Sequence, residues 1–261
     1  MKKTELLNPI KVTNAVFNRF FQIIFNWKRK QLITSLTGAK ISDINRFLKE
    51  IKLGDNFMAA LEKKFRVRKF IKQDFMIFRK GGTMFFHTLT MYVLTRIIKP
   101  EIVVETGGTP GKSSAFILKA MEVNNKGTLY TIDLPPTDLK KWDEIVESPS
   151  SVSWHNILPQ GESSGWIVPD ELKDRQKILI GKSSDRLFPL LKELKQIDMF
   201  IHDSEHSYEN MLWEYHTAFP FIRVRGILLS DDVGLNESFN DFCKEVNCRS
   251  QIISGLGAIK K

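Results

Sequence analysis

Apolar residues recur at two spacings along the chain, and the spacing changes near residue 100. Before that point it is helical. Val16, Phe17, Phe20, Phe21, Ile24 and Trp27 form an i, i+3, i+4 stripe, with Lys28-Arg29-Lys30 directly behind it. A second helix is predicted over 42–52, with Ser42 as its cap and Ile44, Phe47, Leu48 and Ile51 as its stripe. A third covers 55–72 and carries the basic run Lys63-Lys64-Phe65-Arg66-Val67-Arg68-Lys69. Gly81-Gly82 breaks the pattern, and Phe86, Leu89, Val93 and Ile97 then predict a helix that ends before Pro100.

From residue 101 short, wholly apolar runs take over. Ile102-Val103-Val104, Leu129-Tyr130-Thr131-Ile132, Ile178-Leu179-Ile180, Met199-Phe200-Ile201 and Ile227-Leu228-Leu229 read as buried strands. Helical patterns separate them. Thr109-Pro110 is expected to cap and open a helix reaching about residue 123. Leu187, Leu190, Leu191 and Leu194 mark the next helix, and Tyr208, Met211, Leu212 and Tyr215 another. Residues 134–176 hold five prolines and predict mostly irregular chain. Residues 251–259 fit a closing hairpin with a glycine-containing turn. Apolar strands alternating with helices specify a mostly parallel sheet covered on both faces, an α/β fold of Rossmann-like type. The expected organisation is a basic helical extension over 1–80 and an α/β domain over 81–261.

Charge sharpens that division. Residues 1–100 hold 21 Lys and Arg against 6 Asp and Glu, whereas 101–261 hold 18 against 24. The net +9 is therefore an amino-terminal property. With 42% hydrophobic and 26% charged residues, the 261-residue chain excludes fibrous and wholly disordered classes. No apolar run reaches the roughly 18 residues of a membrane span, and nothing apolar follows the basic start in the manner of a secretory signal. Cys243 and Cys248 are too few for a disulfide framework. These features predict a cytoplasmic protein.

In an open parallel sheet, ligands bind at the carboxyl ends of the strands. After the first strand comes Glu105-Thr106-Gly107-Gly108-Thr109-Pro110-Gly111, where glycines let the backbone turn tightly before a helix begins. Gly111-Lys112-Ser113 lacks the earlier glycine of a phosphate-binding loop, and Gly107-x-x-x-Gly111 is not a dinucleotide fingerprint. After the second strand comes Asp133, placed to accept hydrogen bonds from ribose hydroxyls. Loop and carboxylate together point to a nucleoside ligand without a pyrophosphate; the bland alternative is a turn aspartate before Pro135-Pro136. The fourth and fifth strands end in Asp203-Ser204-Glu205-His206 and Asp231-Asp232. Carboxylates gathered in a small volume repel one another unless a cation sits between them. Oxygen ligands of this kind suit Mg²⁺, Ca²⁺ or Mn²⁺. The alternative is a helix-capping carboxylate beside an exposed aspartate pair.

With these motifs in this order the sequence resembles the class I S-adenosylmethionine-dependent methyltransferases. It is similar to a bacterial branch that includes cephalosporin-hydroxylase-like and sugar or natural-product O-methyltransferases. The resemblance covers roughly 80–261, is carried by Val103–Ser114, Asp133, Gly181–Asp185, Ile201–Glu209 and Gly226–Val233, and implies a seven-stranded sheet. It implies that Gly107, Gly111 and Glu105 serve the methionine end of S-adenosylmethionine, that Thr106 and Ser113 also belong to the cofactor site, that Asp133 holds its ribose, and that Ser183 or Ser184 lies near its adenine. It implies a divalent cation, Mg²⁺ by preference, on Asp203, Asp231 and Asp232, and His206 as catalytic base beside Asp203. His87, His155, His202 and His216 are expected to be structural. The implied reaction is metal-assisted O-methylation of a small hydroxylated substrate, a sugar or a secondary metabolite.

Rival readings are an RNA or protein methyltransferase exploiting the basic first hundred residues, a nicotinamide-dependent oxidoreductase, and a non-catalytic ligand sensor. Trp142, Trp154 and Trp166 in the insertion are expected to wall the substrate or to meet another copy. For residues 1–80, expected to cap the active site, a peripheral contact with a membrane or other anionic surface competes with a docking or homo-oligomer helix. Nucleic acid is disfavoured, because no RNA-binding motif accompanies the charge.

Overall fold

A computed structural model describes residues 9–53, 56–67, 83–134, 158 and 161–261, the side chains of 9–22, 52–53, 65–67 and 83–86 excepted. Several expectations fall outside those residues: the side chains of Val16, Phe17, Phe20 and Phe21, the basic run beyond Val67, Gly81-Gly82, Trp142, Trp154 and His155.

Four helices come first: α1 (Pro9–Thr37), α2 (Ile41–Leu53), α3 (Asn56–Val67) and α4 (Thr83–Ile98). Then follow β1 (Ile102–Thr106), α5 (Lys112–Asn124) and β2 (Thr128–Asp133). A 3-10 helix (Asp170–Arg175) leads into β3 (Gln176–Ile180), α6 (Ser183–Leu194), β4 (Ile197–His202), α7 (Tyr208–Ala218) and β5 (Ile222–Ser230). The chain closes with α8 (Ser238–Glu245), β6 (Gln251–Ile253) and β7 (Leu256–Lys260). The seven strands lie in the order β3-β2-β1-β4-β5-β7-β6, the first five parallel and β7 antiparallel to both neighbours. This is the expected Rossmann-like sheet, with the hairpin as its edge.

Alternate strand residues serve opposite faces. Val103, Met199, Ile201, Ile227 and Leu229 belong to one buried cluster, whereas Val104, Phe200, Leu228 and Ile259 belong to the other. The second cluster is completed by α6, α7 and α8 through Leu187, Leu191, Met211, Tyr215, Phe239 and Phe242. The first is completed by α4 and α5, and also by Leu32, Ile33, Ile44, Ile51 and Leu61 from α1, α2 and α3. Arg29 of α1 is buried and donates from Nε to Thr90 on α4 at 3.3 Å. The amino-terminal helices are thus part of the wall on one sheet face. A boundary at residue 80 divides the sequence but not the core.

Local outcomes differ from the pattern in three places. The helix after β1 opens at Lys112, because Gly111 at φ 106° ends the loop; Thr109 is not its cap. β5 runs well before Ile227, with Arg225 at φ 66° and Gly226 packed so closely on Asp198 that a Cβ would lie 2.7 Å from its carbonyl oxygen. The end of the long insertion carries a 3-10 turn over Asp170–Arg175. Among the described residues no helix is long and apolar enough to cross a membrane.

Candidate active site

Parallel registers set the tips of β1, β2, β4 and β5 side by side. Thr106 pairs with Ile132 and His202, and His202 with Ser230, so Asp133, Asp203 and Asp231 leave the sheet from one edge. Backbone hydrogen bonds extend the alignment: Asp203 N donates to Thr106 O and Asp231 N to His202 O, both at 2.9 Å.

Glu105 lies fully buried beneath the glycine loop. It accepts hydrogen bonds from Ser113, from Ser114 at 2.6 Å and from Thr131 at 3.2 Å. Burial pushes its carboxyl up to about 7 against those bonds. Its role is to anchor the first turn of α5 under the loop, and Ser113 faces this carboxylate. Gly107, at φ 84°, has no room for a side chain: a Cβ would lie 1.8 Å from the carbonyl oxygen of Asp203. The close approach that requires glycine here is the neighbouring β4 loop. Thr106 likewise meets protein, donating to Glu214 at 2.5 Å.

Asp133 is buried, and its Oδ2 accepts hydrogen bonds from Thr109 at 2.6 Å and from Ser164. Its Oδ1 accepts from the Leu134 amide at 2.9 Å. A carboxylate presented to hydroxyl donors has the acceptor chemistry a ribose diol needs. Ser183 is half-buried, its Oγ 3.5 Å from Asn210, while Ser184 is exposed and donates to Asp185 at 3.1 Å.

The acidic corner is built differently from the expected metal centre. Burial and the charges of Asp231, Glu105 and Asp232 hold the Asp203 carboxyl well above the ordinary carboxylate range. Asp232, at φ 50°, is raised by burial and by Asp231. Asp231 goes the other way. Burial opposes its charge, but His87 on α4 overrides it, with Nδ1 2.7 Å from Asp231 Oδ1. The other ring nitrogen of His87 is 2.9 Å from the Ser254 carbonyl oxygen in the β6–β7 turn. Burial opposes a charge on this ring too, yet its pKa stays above the ordinary histidine value through Asp231. Among the described residues no three His, Cys, Asp or Glu side chains are grouped to hold a metal ion. The expected Mg²⁺ site on Asp203, Asp231 and Asp232 is thus not formed by the side chains as they stand. The carboxylates sense one another's charge, and the His87 imidazole stands against Asp231.

His206 is half-buried beyond β4, its carbonyl accepting from Asn236 at 3.0 Å. Burial and the nearby His202 lower its pKa, and Nε2 has no hydrogen-bond partner among the described residues. The His202 ring stands edge-on to it, with centroids 5.3 Å apart. His202 is fully buried, its Nδ1 2.7 Å from Oε2 of Glu214 on α7. Glu214 also accepts from Ser204 at 2.7 Å and from Asn210 at 3.4 Å. Burial would raise its carboxyl, but His202 and the hydroxyls hold it low. His202 is structural as expected, and His216 pairs with Glu245 at the surface. The sequence reading missed Glu214 and Ser164, took His87 only as structural, and took Thr109 as a helix cap rather than a partner of Asp133. Glu214 occupies a polar-looking position of α7, and only the long buried run of β4 hinted that a partner for His202 was needed.

Residues 104–233 match the family described as a methyltransferase domain. No curated protein matches the chain. Among solved structures it is similar to a SAH-bound methyltransferase of Podospora anserina, at 14% identity, covering 77% of this chain and 86% of that one, with a TM-score of 0.49. It is also similar to an O-methyltransferase of Bacillus cereus in complex with SAH, at 13% identity, covering 89% and 96%, TM-score 0.44. A third is the O-methyltransferase from Streptomyces achromogenes involved in tomaymycin synthesis, in complex with SAM, at 14% identity, covering 77% and 88%, TM-score 0.48.

Proposed function

We propose that the protein, whose residues 104–233 match a family described as a methyltransferase domain, is a class I S-adenosylmethionine-dependent enzyme that methylates an oxygen of a small hydroxylated molecule, a sugar or a secondary metabolite, with His206 as the base. The observation that carries this reading is the state of His206: a lowered pKa and an unpartnered Nε2 at the edge of the acidic corner.

When bound, S-adenosylmethionine supplies an electrophilic methyl group on a sulfonium. Asp133 holds the ribose hydroxyls at the tip of β2. Glu105, through Ser113 and Ser114, fixes the loop that leads into α5. A neutral alcohol is a weak nucleophile, so its proton must leave as the oxygen attacks. His206 is uncharged near neutral pH and takes that proton at Nε2, an effect worth about 10²–10⁴-fold in rate. The remaining acceleration comes from holding two reactants in line.

Incubation with radiolabelled S-adenosylmethionine and a panel of sugars and phenols, with RNA and protein as controls, tests the proposal. A methoxyl carbon in the product, identified by NMR, supports it. Label confined to RNA, to protein or to nitrogen overturns it.

A further inference from the structure

We infer that Gly161–Val168 is a strap holding the nucleoside pocket shut, with Thr109 and Ser164 standing on Asp133 where a ribose diol would bind; this rests on the role given to Asp133 above. A carboxylate offers about four lone-pair sites. The Leu134 amide takes one on Oδ1, and the Thr109 and Ser164 hydroxyls take two on Oδ2. A diol needs two sites, so at least one protein hydroxyl must leave. Thr109 belongs to the loop itself, whereas Ser164 belongs to the covering segment.

Packing makes the same point independently. The strap lies on the glycine loop: Ile167 N donates to Pro110 O at 3.3 Å, and a Cβ at Gly111 would lie 2.9 Å from Gly165 Cα. At Gly108 the Ser164 hydroxyl would be 3.1 Å from such a Cβ. Trp166, Ile167 and Val168 are buried, so the segment is docked rather than draped. The amino-terminal helices hold it there. Lys64 on α3 donates from Nζ to Val168 O at 2.9 Å, to Trp166 O at 3.4 Å and to Asp170 at 3.1 Å. One flexible cation thus ties α3 to the cover of the pocket, and cofactor entry requires the strap to lift from Asp133.

Calorimetric titration of the full chain with S-adenosylhomocysteine tests this. Ser164→Ala removes one competing hydroxyl and is expected to tighten binding about tenfold. Lys64→Met is expected to tighten it in the same direction. In the wild type, hydrogen exchange at the Ile167 amide is expected to speed up when the ligand is added. Unchanged or weaker binding by Ser164→Ala, alongside loss of binding by Asp133→Asn, overturns the strap and leaves the role of Asp133 intact. Wild-type affinity in Asp133→Asn overturns both.

Discussion

Glu214 and His202 meet at 2.7 Å with both side chains fully buried, so a carboxylate on α7 is locked to the tip of β4. The same carboxylate receives Thr106 from β1 and Ser204 from the β4 loop. One side chain therefore ties together the strand ends on which the candidate site is built. Glu214→Ala would strand an imidazole and two hydroxyls away from water. Such a loss costs about 3 kcal/mol. Denaturant unfolding should show a drop of that size, and a change near zero would show that the network contributes little.

His206 gives the sharpest kinetic expectation. His206→Asn should lower kcat by about 10²-fold or more while S-adenosylhomocysteine affinity holds. Because burial and His202 lower its pKa from 6.5, the uncharged base persists into mildly acidic solution. Activity of the wild type should therefore fall on an acid limb centred below 6.5. A limb at or above that value, or equal losses of kcat and affinity, would remove the base from the mechanism.

Glu105 links pH to stability. Its carboxyl goes from an ordinary 4.5 to about 7 on folding, so the folded chain holds a proton that the unfolded chain releases. Stability is then highest below the unfolded value and falls as pH rises through the folded one, by about 3 kcal/mol across that window. Glu105→Gln should flatten this part of the stability–pH curve. An unaltered slope in the variant would assign it to other groups.

Chelation separates the two accounts of the acidic corner. With His87 2.7 Å from Asp231 and no metal-holding group among the described residues, dialysis against a chelator should leave turnover unchanged. Loss of activity restored by magnesium would reinstate the cation.

The architecture was legible in the sequence because it rests on short apolar runs whose period is robust. Val103 and Val104, or Met199 and Phe200, must face opposite sides of a covered sheet, and the carboxylates after such strands must lie at one edge. The orientation of those carboxylates was not legible, since it depends on partners far away in sequence. Asp231 is held by His87 from a helix 144 residues earlier, a residue that in isolation reads as part of an apolar face. Gly107 was rightly marked as a point of close approach, but the approaching atom is the Asp203 carbonyl. Arg225 in a left-handed conformation likewise has no signature, so the early part of β5 was not visible.

The shared core of α1, α2 and α3 with β1, β4 and β5 has a consequence for engineering and for descent. Those helices cannot be exchanged between homologues as a cassette, because a transplant would bring a wall cut for a different sheet. Replacements along that seam would have to come as small, matched changes on both sides of it.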